Sequence, residues 1–259
     1  MVDRWRPRVE NNVTTQTTHQ NRVAVVTGTA RGIGAAIAQA LASRGAKVVA
    51  ADLEMPDATV RSIGANAIGV AADVADPREW AAIERAAKEA FGDVDIVVNN
   101  AAYYPNHPID ELDFATWRRT MSVNLDAHFL SAKQFVPGMR RKKWGRFVGI
   151  SSNSIGLSIP GMSHYIASKM GIIGFMRGLA NDVANDGITC NAVLPGLTHT
   201  PATDAQGEEQ RRATWQSQAI QRFAEPEDNV GPVLFLTTDD AAFMTGQALV
   251  VDGGQYRVG

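Results

Sequence analysis

The sequence predicts an α/β fold, a single doubly wound, seven-stranded parallel sheet with helices on both faces. Three observations carry this expectation. Short, uninterrupted apolar runs alternate with helix-period patterns along the whole chain, as strands buried on both faces require. A glycine-rich turn, Thr27-Gly28-Thr29-Ala30-Arg31-Gly32-Ile33-Gly34, joins the first apolar run to the first helical pattern. And 259 residues with 45% hydrophobic content suit one large α/β domain with a substantial core.

In chain order, residues 1–20 carry Arg4, Arg6 and Arg8 and then a polar Asn/Thr/Gln run. They lack the apolar centre of a secretory signal and are expected to form a disordered tail, with the domain spanning 21–259. The first strand, Val23 to Val26, leads into a helix over Ile33 to Ala42. The second, Val48 to Ala51, is followed by a short turn region, and the third, Ala67 to Ala71, by a helix over Glu79 to Phe91. A fourth strand, Ile96 to Val98, precedes one long helix from Phe114 to Met139. Then come strand Phe147 to Ile150, helix Tyr165 to Val183, strand Thr189 to Leu194, helix Glu227 to Leu236 and strand Ala248 to Val251. The polar, charged stretch 198–221 has no clear pattern and is expected to be a mobile substrate lid over the carboxyl edge of the sheet.

The glycine turn reads Gly-x-x-x-Gly-x-Gly, neither the common dinucleotide spacing nor a P-loop. Glycines there let the backbone approach a pyrophosphate whose charge rests on a helix N-terminus. Asp52 ends the second strand about twenty residues on, where a carboxylate accepts from ribose hydroxyls and repels a 2′-phosphate. NAD is therefore favoured over NADP. Arg31 qualifies that preference, since it could hold such a phosphate or pair with Asp52.

Tyr165 and Lys169 stand four apart, on one helix face. An ammonium about 4 Å from a phenolate is worth ~4 kcal/mol at an effective dielectric of ~20. At ~1.36 kcal/mol per pKa unit, this is enough to bring a tyrosine from ~10 towards ~7. Ser152 lies thirteen residues before Tyr165, just after an apolar strand. Together these make an acid/base site.

A net charge of −2 gives no basic footprint for nucleic acid or an anionic membrane. No run of about twenty apolar residues suggests a membrane span. The single cysteine, Cys190, excludes an internal disulfide and a multi-cysteine metal site, and fits a reducing, cytoplasmic setting. No metal is expected. His164, next to Tyr165, points about 100° away from it on a helix and is not expected to be catalytic. His107 and His199 flank the expected mouth as solvated loop residues, and Tyr103, Tyr104 and Trp215 are candidates for its walls. The cluster Arg140-Arg141-Lys142-Lys143 suits a helix C-terminus. The helix after Tyr165 is apolar nearly all round, and Gly171, Gly174 and Gly178 would allow close approach, so a second subunit is expected against it.

With these residues in hand, the chain resembles the short-chain dehydrogenase/reductase family from about Arg22 to Tyr256. The motifs are Thr27 to Gly34, Asp73-Val74, Asn99-Asn100-Ala101-Ala102, Asn124, Ser152, Tyr165-x-x-x-Lys169, Pro195-Gly196 with Thr200, and Val251-Asp252-Gly253-Gly254. It looks most like NAD-dependent secondary-alcohol dehydrogenases of the 1-phenylethanol dehydrogenase type, and more distantly like 3-oxoacyl-carrier-protein reductases. The resemblance implies a Rossmann-type fold and a homotetramer.

It also implies roles. Asn124, Ser152, Tyr165 and Lys169 would be catalytic, with Ser152 holding the substrate oxygen, Lys169 bonding the nicotinamide ribose and Asn124 anchoring a water. Gly28, Arg31, Gly32, Ile33, Gly34, Asp52, Asp73, Val74, Asn100, Ala101, Pro195, Gly196, Thr198 and Thr200 would surround the dinucleotide. Ala102 departs from the family's glycine at the end of the Asn-Asn-Ala turn. The function expected is NAD-dependent interconversion of a small or medium, fairly apolar secondary alcohol and a ketone. The alternative is an NADPH-dependent 3-oxoacyl thioester reductase. A catalytically silent cofactor sensor on the same fold is disfavoured, because binding alone has no need of Ser152, Tyr165 and Lys169 together.

Overall fold

The computed structural model describes residues 17–157, 159–200, 203 and 208–256. Seven strands form one all-parallel sheet: β1 (Val23–Thr27), β2 (Lys47–Asp52), β3 (Ala67–Ala71), β4 (Ile96–Asn99), β5 (Gly145–Ile150), β6 (Ile188–Pro195) and β7 (Ala248–Val251). Their spatial order is β3-β2-β1-β4-β5-β6-β7, so the chain reverses its winding between β1 and β4. At such a switch point the carboxyl ends of two neighbouring strands open a crevice for a ligand.

The described helices are α1 (Gly32–Ser43), α2 (Asp57–Ile63), α3 (Pro77–Ala90), α4 (Phe114–Met121), α5 (Ala127–Lys142), α6 (Ser163–Val183), α7 (Glu208–Gln216) and α8 (Val230–Leu236). One core layer buries Trp80 and Ile83 of α3, Phe135 and Met139 of α5, and Ile172 and Met176 of α6 against one face of the sheet. The other buries Ile37 and Leu41 of α1 and Val233 and Leu236 of α8 against the opposite face. β1 and β4 to β6 are buried throughout, which is why they read as continuous apolar runs.

Several elements depart from the sequence reading. The short turn region after β2 holds α2, too short at seven residues for its periodicity to register. The long helix from Phe114 is broken by a π-helical turn, Ser122–Asp126, before α5 runs on to Lys142 through Pro137. The patternless stretch 198–221 contains α7, whose chain is too polar to show an apolar face. At the start, residues 1–16 of the expected tail lie outside the described residues, but His19 is fully buried and its Nε2 meets Thr237 Oγ1 at 2.9 Å. Burial pushes its imidazole pKa down to about 4. The basic cluster closing α5 is ion-paired: Arg140 and Lys143 with Asp186, Arg141 with Asp93, and Lys142 with Asp95.

Candidate active site

The glycine turn is held at the switch point by side chains from both strands. Thr27 Oγ1, at the end of β1, accepts from the backbone N–H groups of Asn100 and Ala101 after β4, both at 3.0 Å. Asn100 Nδ2 returns to the Thr27 and Gly28 carbonyls at 2.9 and 3.1 Å. Gly28 takes φ +70°, where an L side chain is strained, and a Cβ on it would lie 2.7 Å from Asn100 Nδ2. A Cβ on Gly34 would lie 2.5 Å from the same nitrogen. Two bare backbone positions thus meet one amide, one of them, Gly34, in the first turn of α1 together with Gly32 and Ile33.

Asp52, at the end of β2, accepts from Ala30 N at 2.8 Å through Oδ2 and makes no ion pair with Arg31, which is exposed. Asp73 is held through Oδ1 by Ala75 N at 3.0 Å and through Oδ2 by Arg119 of α4 at 2.8 Å. Arg119 carried no signal in the sequence, because it stands 46 positions after Asp73 and only the fold brings the two together. Val74 is buried, and its carbonyl accepts from Trp80 Nε1. Beyond β6, Pro195 leads into Gly196, where a Cβ would meet Asp252. Thr198 Oγ1 donates to the Gly196 carbonyl, and Thr200 Cγ2 faces Gly32, 3.2 Å from where a Cβ there would lie. The glycine turn thus lies against Asn100 and Ala101 after β4, Asp52 at the end of β2 and Thr200 across from Gly32.

The acid/base residues gather at the carboxyl end of β5. Ser152 caps the 3-10 turn Asn153–Gly156 by accepting from Ser154 N, and its hydroxyl is near enough to the Tyr165 phenol to pull its pKa down. Lys169 Nζ lies 5.5 Å from the centre of the Tyr165 ring and donates to the Ile150 carbonyl at 2.7 Å. The anticipated lowering of the Tyr165 pKa is overturned. Its surface is partly open, but protein crowds the hydroxyl, and desolvation pushes the phenol up to about 12 against the pull of Ser152. The same burial brings Lys169 down to about 7. The Coulomb argument from spacing omitted this loss of solvent, which is the larger effect here.

Asn124 sits in the π turn with its amide wholly engaged. Oδ1 accepts from Tyr103 N at 2.7 Å, while Nδ2 donates to Tyr103 O at 2.9 Å and to Ser168 Oγ at 3.0 Å. It latches the loop after β4 to α6, so a water held at this point would need a main-chain carbonyl, which π turns release. That loop reaches over the acid/base group. The Tyr104 ring meets Tyr165 edge-on with centroids 6.0 Å apart, Asn106 Nδ2 donates to Pro160 O, and His107 N donates to Gly161 O. His164 is buried and bonded to Pro105 O, away from the catalytic groups as its helix position requires. His199 stacks edge-on against Phe223 and Trp215 is half-buried in α7. Cys190 is buried in β6, its thiol pushed up by loss of solvent.

Among the described residues no group of His, Cys, Asp and Glu could hold a metal ion, and no helix is long and apolar enough to cross a membrane. Residues 28–255 match the family described as Enoyl-(Acyl carrier protein) reductase. The chain is 37% identical over 241 residues to the 3-oxoacyl-(acyl-carrier-protein) reductase of Vibrio cholerae, covering 92% of this chain and 99% of that one. It is 39% identical over 241 residues to subunit BbsD of a hydroxy(phenyl)methylsuccinyl-CoA dehydrogenase from Thauera aromatica, covering 91% and 97%. A provisionally named short-chain alcohol dehydrogenase of Sinorhizobium meliloti superposes with a TM-score of 0.88 at 34% identity, over 93% of this chain and 98% of that one.

Proposed function

The chain belongs to the short-chain dehydrogenase/reductase family, oxidoreductases that act on CH–OH groups with a nicotinamide cofactor, and from that premise we propose that it interconverts a 3-oxoacyl thioester and its 3-hydroxy counterpart. The observation that carries the chemistry is the convergence of Ser152, Tyr165 and Lys169 at the end of β5. The thioester is favoured because the Vibrio and Thauera relatives are both named for acyl thioesters carrying oxygen on a reacting carbon.

The cofactor would lie across the switch point, with its pyrophosphate at Gly28 to Gly34, its adenosine ribose at Asp52 and its adenine beside Asp73 and Val74. Asn100, Ala101, Pro195, Gly196, Thr198 and Thr200 would line the remainder. When bound, the nicotinamide supplies or accepts the hydride. The chain's own part is proton transfer and orientation. In reduction Tyr165 gives its Oη proton to the carbonyl oxygen that Ser152 holds, and in oxidation it takes that proton back. Lys169 supplies the positive charge that lets Tyr165 carry the negative one. Asp52 keeps one carboxylate oxygen available beside its bond to Ala30 N, which supports NAD(H). Arg31, exposed and not paired with Asp52, keeps NADP(H) as the alternative.

A second reading, a free secondary alcohol or ketone as substrate, rests on the aromatic wall that Tyr104 places against Tyr165 and on the Sinorhizobium neighbour. The two separate in one assay. Acetoacetyl-CoA and 1-phenylethanol are offered in parallel, each with both cofactors in the appropriate redox state. Faster turnover of the thioester with NADH is expected; turnover of the alcohol alone would replace the thioester by the second reading. The remaining parts of the proposal are a homotetramer and a reducing, cytoplasmic setting.

A further inference from the structure

The motif Val251-Asp252-Gly253-Gly254 near the end of the chain has no task in the proposed reaction. In the fold it turns the chain back onto the residue that follows Ser152. Asp252 is 4% exposed, and among the described residues no cation pairs with it. A buried carboxylate without a cation needs other partners, and four N–H donors supply them. Oδ1 accepts from Gly254 N at 2.9 Å and Gln255 N at 3.1 Å, while Oδ2 accepts from Tyr256 N at 2.7 Å and Asn153 Nδ2 at 3.0 Å. Three of these are backbone groups of its own turn. The fourth comes from 99 positions earlier in the chain and is the one that reaches the acid/base site.

Asn153 is buried and opens the 3-10 turn that Ser152 caps. Its Nδ2 makes a second bond, to Gln255 Oε1 at 2.9 Å, so both acceptors belong to the C-terminal turn. At the far end of the 3-10 turn Gly156 is bare where the Tyr256 ring lies, and a Cβ there would run into Tyr256 Cδ2 and Cε2. The turn is thus gripped at its first and last residues. Between them Ser154 N donates to Ser152 Oγ at 3.1 Å, so the serine hydroxyl takes its place from the turn. The C-terminal turn is anchored in its own right. Gln255 Nε2 donates to Ser217 Oγ and Ile220 N to Gly253 O, both at 2.8 Å and both in the chain leaving α7. A Cβ on Gly196, after β6, would lie 2.8 Å from Asp252 Cβ. With a carboxylate as acceptor the Asn153 bond is charge-assisted, roughly twice as strong as a neutral one.

We infer that Asn153 is a positioning residue for Ser152: bonded to Asp252 and Gln255, it fixes the 3-10 turn whose Ser154 amide aims the Ser152 hydroxyl. The inference rests on the oxidoreductase reading above, in which that hydroxyl holds the substrate oxygen. Asn153→Leu keeps the branching at Cγ and removes both bonds. A serine free to turn aside costs the transition state more than bound substrate, so kcat for acetoacetyl-CoA reduction should fall about tenfold with KM and NADH affinity within about twofold. Gln255→Ala removes one acceptor and spares the Asp252 bond, and kcat should fall about threefold. In a Ser152→Ala background neither change should lower the residual rate further, whereas a general loosening of the fold would lower it again.

An Asn153→Leu enzyme with the wild-type kcat, or losses that persist undiminished in the Ser152→Ala background, would overturn the inference. Should Asn153→Leu not fold, Gln255→Ala carries the same readouts. A wild-type chain inactive on every probe overturns the oxidoreductase reading instead. Hydrogen exchange, which needs no turnover, then decides the inference, and does so equally where Ser152→Ala leaves no rate to compare. The Ser154 amide should be protected in the wild type and exchange about tenfold faster in Asn153→Leu and about threefold faster in Gln255→Ala, with the β5 amides unchanged. A Ser154 amide unprotected in the wild type, or equally protected in the variants, overturns it.

Discussion

Replacing Gly34 with alanine tests whether the crevice at the switch point is a built cofactor site. The new methyl would press into the Gly28 carbonyl oxygen and lie 2.5 Å from Asn100 Nδ2 and 2.8 Å from the Gly28 carbonyl carbon. Two of these three atoms are backbone and the third is an amide fixed by two hydrogen bonds, so none of them can swing aside as a flexible side chain would. Overpacking of this kind costs ~1–3 kcal/mol, and forcing Asn100 off Gly28 adds ~1 kcal/mol for the lost hydrogen bond. The sum, about 2–4 kcal/mol, corresponds at about 2 °C per kcal/mol to a melting temperature roughly 4–8 °C lower for a chain of this size. Because the displaced atoms belong to the proposed pyrophosphate cradle, NADH affinity should fall at least tenfold in calorimetric titration, ~1.4 kcal/mol or more. Gly231, which has nothing within 4 Å of an added Cβ, serves as the control and should tolerate alanine in both measurements. A Gly34→Ala protein that melts with the wild type and binds NADH as tightly would refute the clamp and the cofactor site built on it.

Three further outcomes follow from the same geometry. Tyr165→Phe removes the proton carrier and should lower kcat by ~10²–10⁴ while leaving NADH affinity in calorimetry within a few-fold; an active phenylalanine enzyme would remove Tyr165 from the mechanism. Asp52→Ser takes the carboxylate from the proposed ribose site, so the ratio of NADH to NADPH affinity should fall by about tenfold; an unchanged ratio would transfer cofactor choice to Arg31. On α6, Gly174 and Gly178 are exposed with nothing within 4 Å of an added Cβ, beside Met170, which is 49% exposed. In a monomer Gly174→Ala should stabilise the helix by ~1 kcal/mol. In the proposed homo-oligomer it should instead weaken association in sedimentation velocity, and a monomeric wild type whose alanine variant only melts higher would count against subunit contact there.

The sheet was legible in the sequence because its central strands, β1 and β4 to β6, are buried on both faces, so each of them writes itself as an apolar run whose ends are set by glycine and polar residues. Where structure depends on residues distant in sequence, the signal disappears. The seven residues of α2 are fewer than the two turns that a helical period needs, and α7 presents a polar surface with no stripe to read. The π turn at Ser122–Asp126 keeps helical composition while shifting the register, so a single long helix was the natural reading. Ser152, Tyr165 and Lys169 could be found because they lie on consecutive elements. Arg119 against Asp73 could not, since it acquires its neighbour only when α4 packs.

The corrected pKa of Tyr165 bears on the direction in which the site is set. A bare Coulomb estimate makes Tyr165 a base near neutrality, whereas burial leaves it protonated, up to about 12, and draws Lys169 down to about 7. Both shifts favour the uncharged pair, phenol beside amine, over phenolate beside ammonium. Reduction needs the phenol at the outset and forms charge only as the proton leaves. Oxidation needs the charge in place before the alcohol arrives. The Ile150 carbonyl, which accepts from Lys169 Nζ at 2.7 Å and favours its ammonium, therefore weighs most on oxidation. A desolvated tyrosine with a sparingly supported lysine is a proton donor first, and donation to a carbonyl oxygen is what a 3-oxoacyl thioester would ask of it.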